Sequence, residues 1–142
     1  MMKTQQYRQQ HESIKFIIQE IRQLLTEENF LEQLGAIRKN LSALTGKLKV
    51  HLLMEDEFLY PRMLKNREDT VRETAQKYAE EMGNMNPLFA EYTGKWRSRL
   101  AVEEAPALFK RETQEILEKL MNRIDRENNE LYALFDHMKE SF

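Results

Sequence analysis

The chain contains no cysteine among its 142 residues, which excludes a disulfide framework and any thiolate metal site. Glycine occurs four times and proline three times, too seldom for a protein of many short strands and tight turns. With few β-branched runs as well, the composition predicts an all-helical chain of long elements. No window approaches the roughly 20 consecutive apolar residues needed to span a bilayer. The N-terminal stretch Met1-Met2-Lys3-Thr4-Gln5-Gln6 is polar, without the apolar run of a signal peptide. A dominant charge is missing too: 22 Lys and Arg are interspersed with 24 Asp and Glu, so no clustered basic face offers itself to nucleic acid. These absences predict a cytoplasmic protein without nucleic-acid or membrane partners, in a single domain over 1–142, long enough to bury a core unaided.

What the sequence does contain is a repeat. His51 is followed by Glu55 and by Leu59-Tyr60, and 72 positions later Arg123 is followed by Glu127 and by Leu131-Tyr132 at the same offsets. Upstream of each, a second stripe recurs with a shift of 71: Tyr7, His11, Ile14, Ile18, Ile21 and Leu25 correspond to Tyr78, Met82, Met85, Phe89, Tyr92 and Trp96. The chain is two similar halves, and each histidine of the first half lacks its counterpart in the second.

Hydrophobic periodicity predicts four helices. The first covers Thr4 to Leu25, and the second runs from Phe30 to Leu64 with Leu41, Leu44, Leu48, His51, Glu55 and Phe58 inward, loosened at Gly35 or Gly46. The third is capped by Asn66 and ends at Trp96, bending around Gly83 to Pro87 where proline removes a hydrogen bond. Arg97 to Glu104 reads as the longest loop. The fourth helix starts near Pro106, with Phe109, Thr113, Ile116, Leu120, Arg123, Glu127, Leu131 and Leu134 inward. Spacings of three and four joined by short links predict an antiparallel, up-down-up-down four-helix bundle.

In such a bundle His11, His51, Glu55, Met82, Arg123 and Glu127 fall in one layer near one end. Two carboxylates on core stripes need a positive partner, either a metal ion or a cationic side chain. The segment His51-Leu52-Leu53-Met54-Glu55-Asp56-Glu57-Phe58-Leu59-Tyr60-Pro61 resembles the second-helix signature of the hemerythrin-like, HHE cation-binding domains, and the resemblance covers nearly the whole chain. It implies a four-helix bundle holding a non-haem di-iron centre. It also implies that His11, His51, Glu55 and Glu127 stand at ligand positions, while Met82 and Arg123 stand where the family offers histidine. Methionine is a poor ligand for iron, and arginine stays protonated with no lone pair to donate.

Two function classes follow. One is a metal-free or weakly metal-binding bundle for binding or regulation, with Arg123 replacing the metal charge, no cofactor as purified and an unidentified protein or small-ligand partner. The alternative is an iron-binding relative in oxygen, nitric oxide or iron sensing, with iron or another divalent metal bound. An enzyme is not expected, since the chain has no nucleophile elbow, phosphate loop or Glu-x-x-His motif. Tyr78, Phe89, Tyr92 and Trp96 read as packing, Met82 as core filling, and His137 as surface.

Overall fold

The periodic stripes become four long helical arms in the computed structural model, which describes residues 3–139. The first arm is helix α1, Gln5–Thr26. The second opens with a 3-10 turn, Phe30–Gln33, and continues as α2, Leu34–Met54. A π turn, Glu55–Leu59, then leads into α3, Tyr60–Leu64. Helix α4, Asp69–Lys95, is the third arm. After the short α5, Arg99–Glu104, the fourth arm comprises α6, Pro106–Arg126, a π turn, Glu127–Leu131, and α7, Tyr132–His137. No strand occurs among the described residues. The architecture is the all-α four-helix bundle predicted above.

Contacts between the ends of the arms show that neighbours run antiparallel. The Tyr7 hydroxyl, near the start of α1, donates to the Met54 carbonyl at the end of α2 (3.4 Å). Thr4 Oγ1 donates to Asp136 Oδ2 in α7 (2.7 Å). At the opposite end, Arg38 Nη2 near the start of α2 reaches the Arg97 carbonyl just beyond α4 (2.8 Å).

Two apolar clusters fill the interior. One, around Ile14, Ile18, Leu25, Leu44, Trp96 and Phe109, occupies the end where α1 stops. The other, around Tyr7, Leu59, Tyr78, Leu131, Tyr132 and Phe135, occupies the end where α1 begins. His11, His51, Glu55, Arg123 and Glu127 are buried alongside these clusters.

Several local expectations are corrected. Phe58 points outward (55 % exposed), and Leu59 and Tyr60 are buried in its stead. A π turn takes more residues per turn than an α-helix, so the inward face moves on by about one position after Glu55. Phe135 likewise replaces Leu134 as the buried residue after the second π turn. Arg97 to Glu104 is not a loop throughout: Ser98 Oγ accepts from Ala101 N (3.1 Å) and caps α5. Asn66 organises the turn before α4 instead of capping it, its Oδ1 accepting from Glu68 N (3.0 Å), and the helix starts at Asp69. Gly35 and Gly46 leave α2 uninterrupted; Pro87, as expected, lies inside α4 without breaking it.

Candidate metal centre

Three of the four long arms send buried polar side chains into the layer between the clusters. His11 comes from α1, His51 from the last turn of α2, Glu55 from the π turn that follows, Arg123 from the last turn of α6 and Glu127 from the second π turn. Both π turns begin at the repeated carboxylate, so the two halves share the irregularity as well as the residues. π turns recur at functional sites because they re-aim a side chain without ending the helix.

The two imidazoles meet nose to nose, with His11 Nε2 and His51 Nε2 3.0 Å apart. Their other nitrogens face amide oxygens: His11 Nδ1 lies 2.8 Å from Asn128 Oδ1, and His51 Nδ1 lies 2.6 Å from Gln10 Oε1. The Gln10 amide nitrogen is turned the other way, onto Met54 Sδ (2.9 Å). With both Nδ1 atoms as donors, both Nε2 lone pairs point into the same small space. That pairing repels unless a cation sits there, and either a proton or a metal ion can supply the charge. An N–H donated to an amide oxygen is also how metal-ligating histidines are held.

Carboxylates enclose this pair. Glu127 Oε1 lies 2.9 Å from His11 Nε2 and 3.8 Å from His51 Nε2, while Glu55 Oε2 lies 3.4 Å from His51 Nε2. His11, His51 and Glu127 each offer a ligand atom, all within 4.8 Å of one another and all buried. Burial pulls His51 down, but hydrogen bonding and charge from Glu127 and Glu55 outweigh it and raise its pKa to about 9. Burial and the charge of Glu127 push the Glu55 carboxyl up. Burial also works against ionised Glu127, yet its histidine partners and Arg123 hold it well below the usual carboxylate range. Glu55 Oε1 is buried and has no hydrogen-bond partner, an exposed valence of the kind a metal ion satisfies.

Arg123 spreads its guanidinium over the other side of the layer. Nε donates to Glu127 Oε2 (3.2 Å), Nη1 to Glu81 Oε2 (3.1 Å), and Nη2 to the Tyr60 hydroxyl (3.2 Å) and the Tyr78 carbonyl (2.8 Å). It also lies over the Tyr78 ring, 4.7 Å from the centroid. A cation is therefore built into the position that the repeat pairs with His51.

The sequence pattern named His11, His51, Glu55 and Glu127, and the fold gathers all four in this layer. Met82 is half-buried and lines a cavity of about 20 Å³ together with His11, His51, Arg123 and Glu127. Residues not singled out as site members also converge here. Tyr132 is fully buried, and its hydroxyl donates to Glu55 Oε2 (2.7 Å) while lying 3.2 Å from His11 Nε2 and 3.1 Å from His51 Nε2. Gln10, Asn128, Tyr60 and Glu81 complete the surroundings. Only the tyrosines carried a signal in the sequence, as the last members of the repeated motifs.

A bridged pair of iron ions does not fit these residues. One half of the layer supplies two imidazoles and a carboxylate, whereas the other supplies a thioether and a guanidinium that repels a second cation. The small cavity is of the size for one ion or water. The donors do suit a single ion, with two imidazoles and carboxylate oxygens at mutual distances of 2.9 to 3.8 Å. The site is a reduced, three-ligand remnant of a two-ion centre.

Among the described residues no helix is long and apolar enough to cross a membrane. Comparison with known proteins returns one finding: the sequence profile described as Hemerythrin HHE cation binding domain matches residues 2–135. No curated protein and no solved structure matches the chain. The profile describes binding of cations and covers the repeat, the four arms and every residue of the site, so this chain belongs to the hemerythrin HHE cation-binding domain family, as a non-enzymatic member with a degenerate metal site.

Proposed function

We propose that the protein is a binding or regulatory bundle whose site holds at most one metal ion, exchangeably, and which folds without it. The observation that carries this reading is Arg123: a buried guanidinium bonded to Glu127, Glu81, Tyr60 and Tyr78 supplies in permanent form the charge that an ion supplies elsewhere. His11, His51 and Glu127 are the proposed ligands, with Glu55 as a fourth through its unpartnered oxygen. An iron-sensing role is the second reading, supported by the two Nε2 atoms that face each other and require a cation between them. The domain is proposed to span 1–142. A cytoplasmic location, supported by the absence of cysteine, and an unidentified protein or small-ligand partner complete the proposal.

The test is elemental analysis of protein expressed in iron-supplemented medium, with an absorption spectrum in air and melting curves with and without chelator. Less than one ion per chain, and a melting temperature that chelator leaves unchanged, are expected. Two ions per chain with near-ultraviolet bands of a bridged di-ferric centre would overturn the reading.

A further inference from the structure

The Tyr132 hydroxyl is placed as a donor atom and not merely as a neighbour. With His11 Nε2 and His51 Nε2 it forms a triangle with sides of 3.0, 3.2 and 3.1 Å. Donors at about 2.0–2.1 Å from one ion are separated by about 2.9 Å when their bonds meet at right angles and by about 3.4 Å in a tetrahedron. The triangle falls inside that range, and Glu127 Oε1, 2.9 Å from His11 Nε2 and 3.8 Å from His51 Nε2, stands beside it as a fourth atom. Three independent elements, α1, α2 and α7, must come together to produce it. The phenol lies at full burial, stacked on the His11 ring with centroids 5.0 Å apart.

Charge says which ion such a set prefers. Two imidazoles and two carboxylates neutralise a divalent ion, whereas a phenolate in addition brings the negative charge to three. Buried charge is tolerated when it is balanced locally, and Arg123 already has Glu81 as a partner outside the donor set. Three anionic oxygens are also hard donors, which favour the harder, more highly charged ion. Resting on the single-ion reading above, we propose that Tyr132 is a ligand of this site, binding as phenolate beside His11, His51, Glu127 and an ionised Glu55, and that the site is thereby selective for ferric iron. Coordination replaces the phenol proton by the ion without any change of oxidation state. The proton is released to solvent, with the hydrogen-bonded Glu55 Oε2 as its first acceptor, so Glu55 ends ionised and the charge of three is kept.

The repeat gives the arrangement a reason. Tyr60 occupies in the first half the place that Tyr132 has in the second, and its hydroxyl accepts from Arg123, the counterpart of His51. Each tyrosine thus reaches the repeated residue of the other half. Where that residue is histidine the tyrosine can share an ion with it, and where it is arginine the ion position is closed.

The experiment is titration of the full chain with ferric nitrilotriacetate, followed by visible absorption and calorimetry, in the natural protein and in Tyr132→Phe, Tyr92→Phe and His51→Ala. Expected are one ferric ion per chain and a visible phenolate-to-ferric charge-transfer band, lost in Tyr132→Phe and kept in Tyr92→Phe. Ferric affinity should fall by at least about a hundredfold in Tyr132→Phe, since loss of a direct donor costs no less than loss of an outer partner, while zinc affinity changes far less. Ferric binding without the visible band, or binding tightened by Tyr132→Phe, would overturn the role of Tyr132 and leave the single-ion site standing. If neither ferric iron nor zinc binds the natural protein, and His51→Ala behaves identically, the role of Tyr132 and the single-ion site both fall, and the metal-free bundle with Arg123 as its cation stands. Melting curves of each variant establish that it is folded.

Discussion

Arg123 decides more about this protein than any other residue, because it sets a fixed cation beside the carboxylates of the site. Its guanidinium is nearly buried and satisfies Glu127 directly, so removing it leaves a buried carboxylate without its cation. Arg123→Ala should destabilise the bundle by about 3–5 kcal/mol, read from denaturant curves; an unchanged midpoint would show that Glu127 finds its charge balance elsewhere. Arg123→Lys keeps the charge but loses the fork that reaches Glu81, Tyr60 and Tyr78, and should recover only part of the loss. His51 makes a second prediction. Its pKa is about 9 in the folded, metal-free chain against 6.5 for the ordinary group, so the unfolded state binds fewer protons between those values. The stabilisation is complete below pH about 6.5 and is lost as pH rises through about 9. The upward shift of Glu55 acts in the same sense, whereas the downward shift of Glu127 gives stability that is complete above the ordinary carboxylate range and is lost as pH falls below it. Melting temperatures of metal-free protein should therefore fall from pH 6.5 to pH 9, and the fall should shrink in His51→Ala. An identical slope in the variant would assign it to other groups.

At the level of elements, the two π turns determine which side chains reach the core. Heptad-like spacing extended through residue 58 would bury Phe58; the added residue of the π turn turns Phe58 out and brings Leu59 and Tyr60 in. This has a direct mutational consequence. Leu59→Ala, at a position with no exposure, should cost about 2–5 kcal/mol, and Phe58→Ala should stay within about 0.5 kcal/mol of neutral. The reverse order would mean that the helix keeps α geometry there. Helix positions were readable in the sequence because stripes spaced three and four apart recur over long stretches, as from Phe109 to Leu120. The π turns were not readable: nothing in Glu55-Asp56-Glu57-Phe58-Leu59 differs in composition from an α-helical turn, and the wide hydrogen bonds are sustained by what the flanking carboxylate and tyrosine find across the bundle. The same holds for α5, whose six residues are stabilised by Ser98 and by packing of Val102 and not by any long stripe.

For the molecule as a whole, the two-fold likeness of its halves makes the lost chemistry recoverable. Met82 and Arg123 line the same small cavity as His11, His51 and Glu127. Met82→His combined with Arg123→His should place four imidazoles around two carboxylates and remove the opposing cation. Iron-replete expression followed by elemental analysis should then find about two ions per chain in the double variant, more than in either single variant, because each single change leaves one half closed. A folded double variant with no more iron than the natural protein would show that partners such as Gln10 and Asn128, which orient the surviving histidines, have no equivalents in the second half. Leu48, Leu52, Met82 and Leu120 also line an apolar cavity of about 320 Å³ next to the site, so a histidine at 82 has room to adjust.

By itself the sequence determined the helical class, the four arms, the internal repeat, and the layer in which His11, His51, Glu55, Met82, Arg123 and Glu127 lie. Each of these follows from local periodicity or from residue type at matching offsets, which a linear chain displays in full. It also implied that Arg123 must serve a buried carboxylate, since charge on a core stripe has to be balanced wherever the stripe is packed. Only the tertiary structure decided that the carboxylate is Glu127, that Glu81 shares the guanidinium, and that Tyr132 stands within donor distance of both histidines. Those outcomes depend on ångström-scale phase between separate helices. That phase is set by two π turns and by the packing of Tyr7, Tyr78 and Phe135 around them, interactions between residues far apart in the chain.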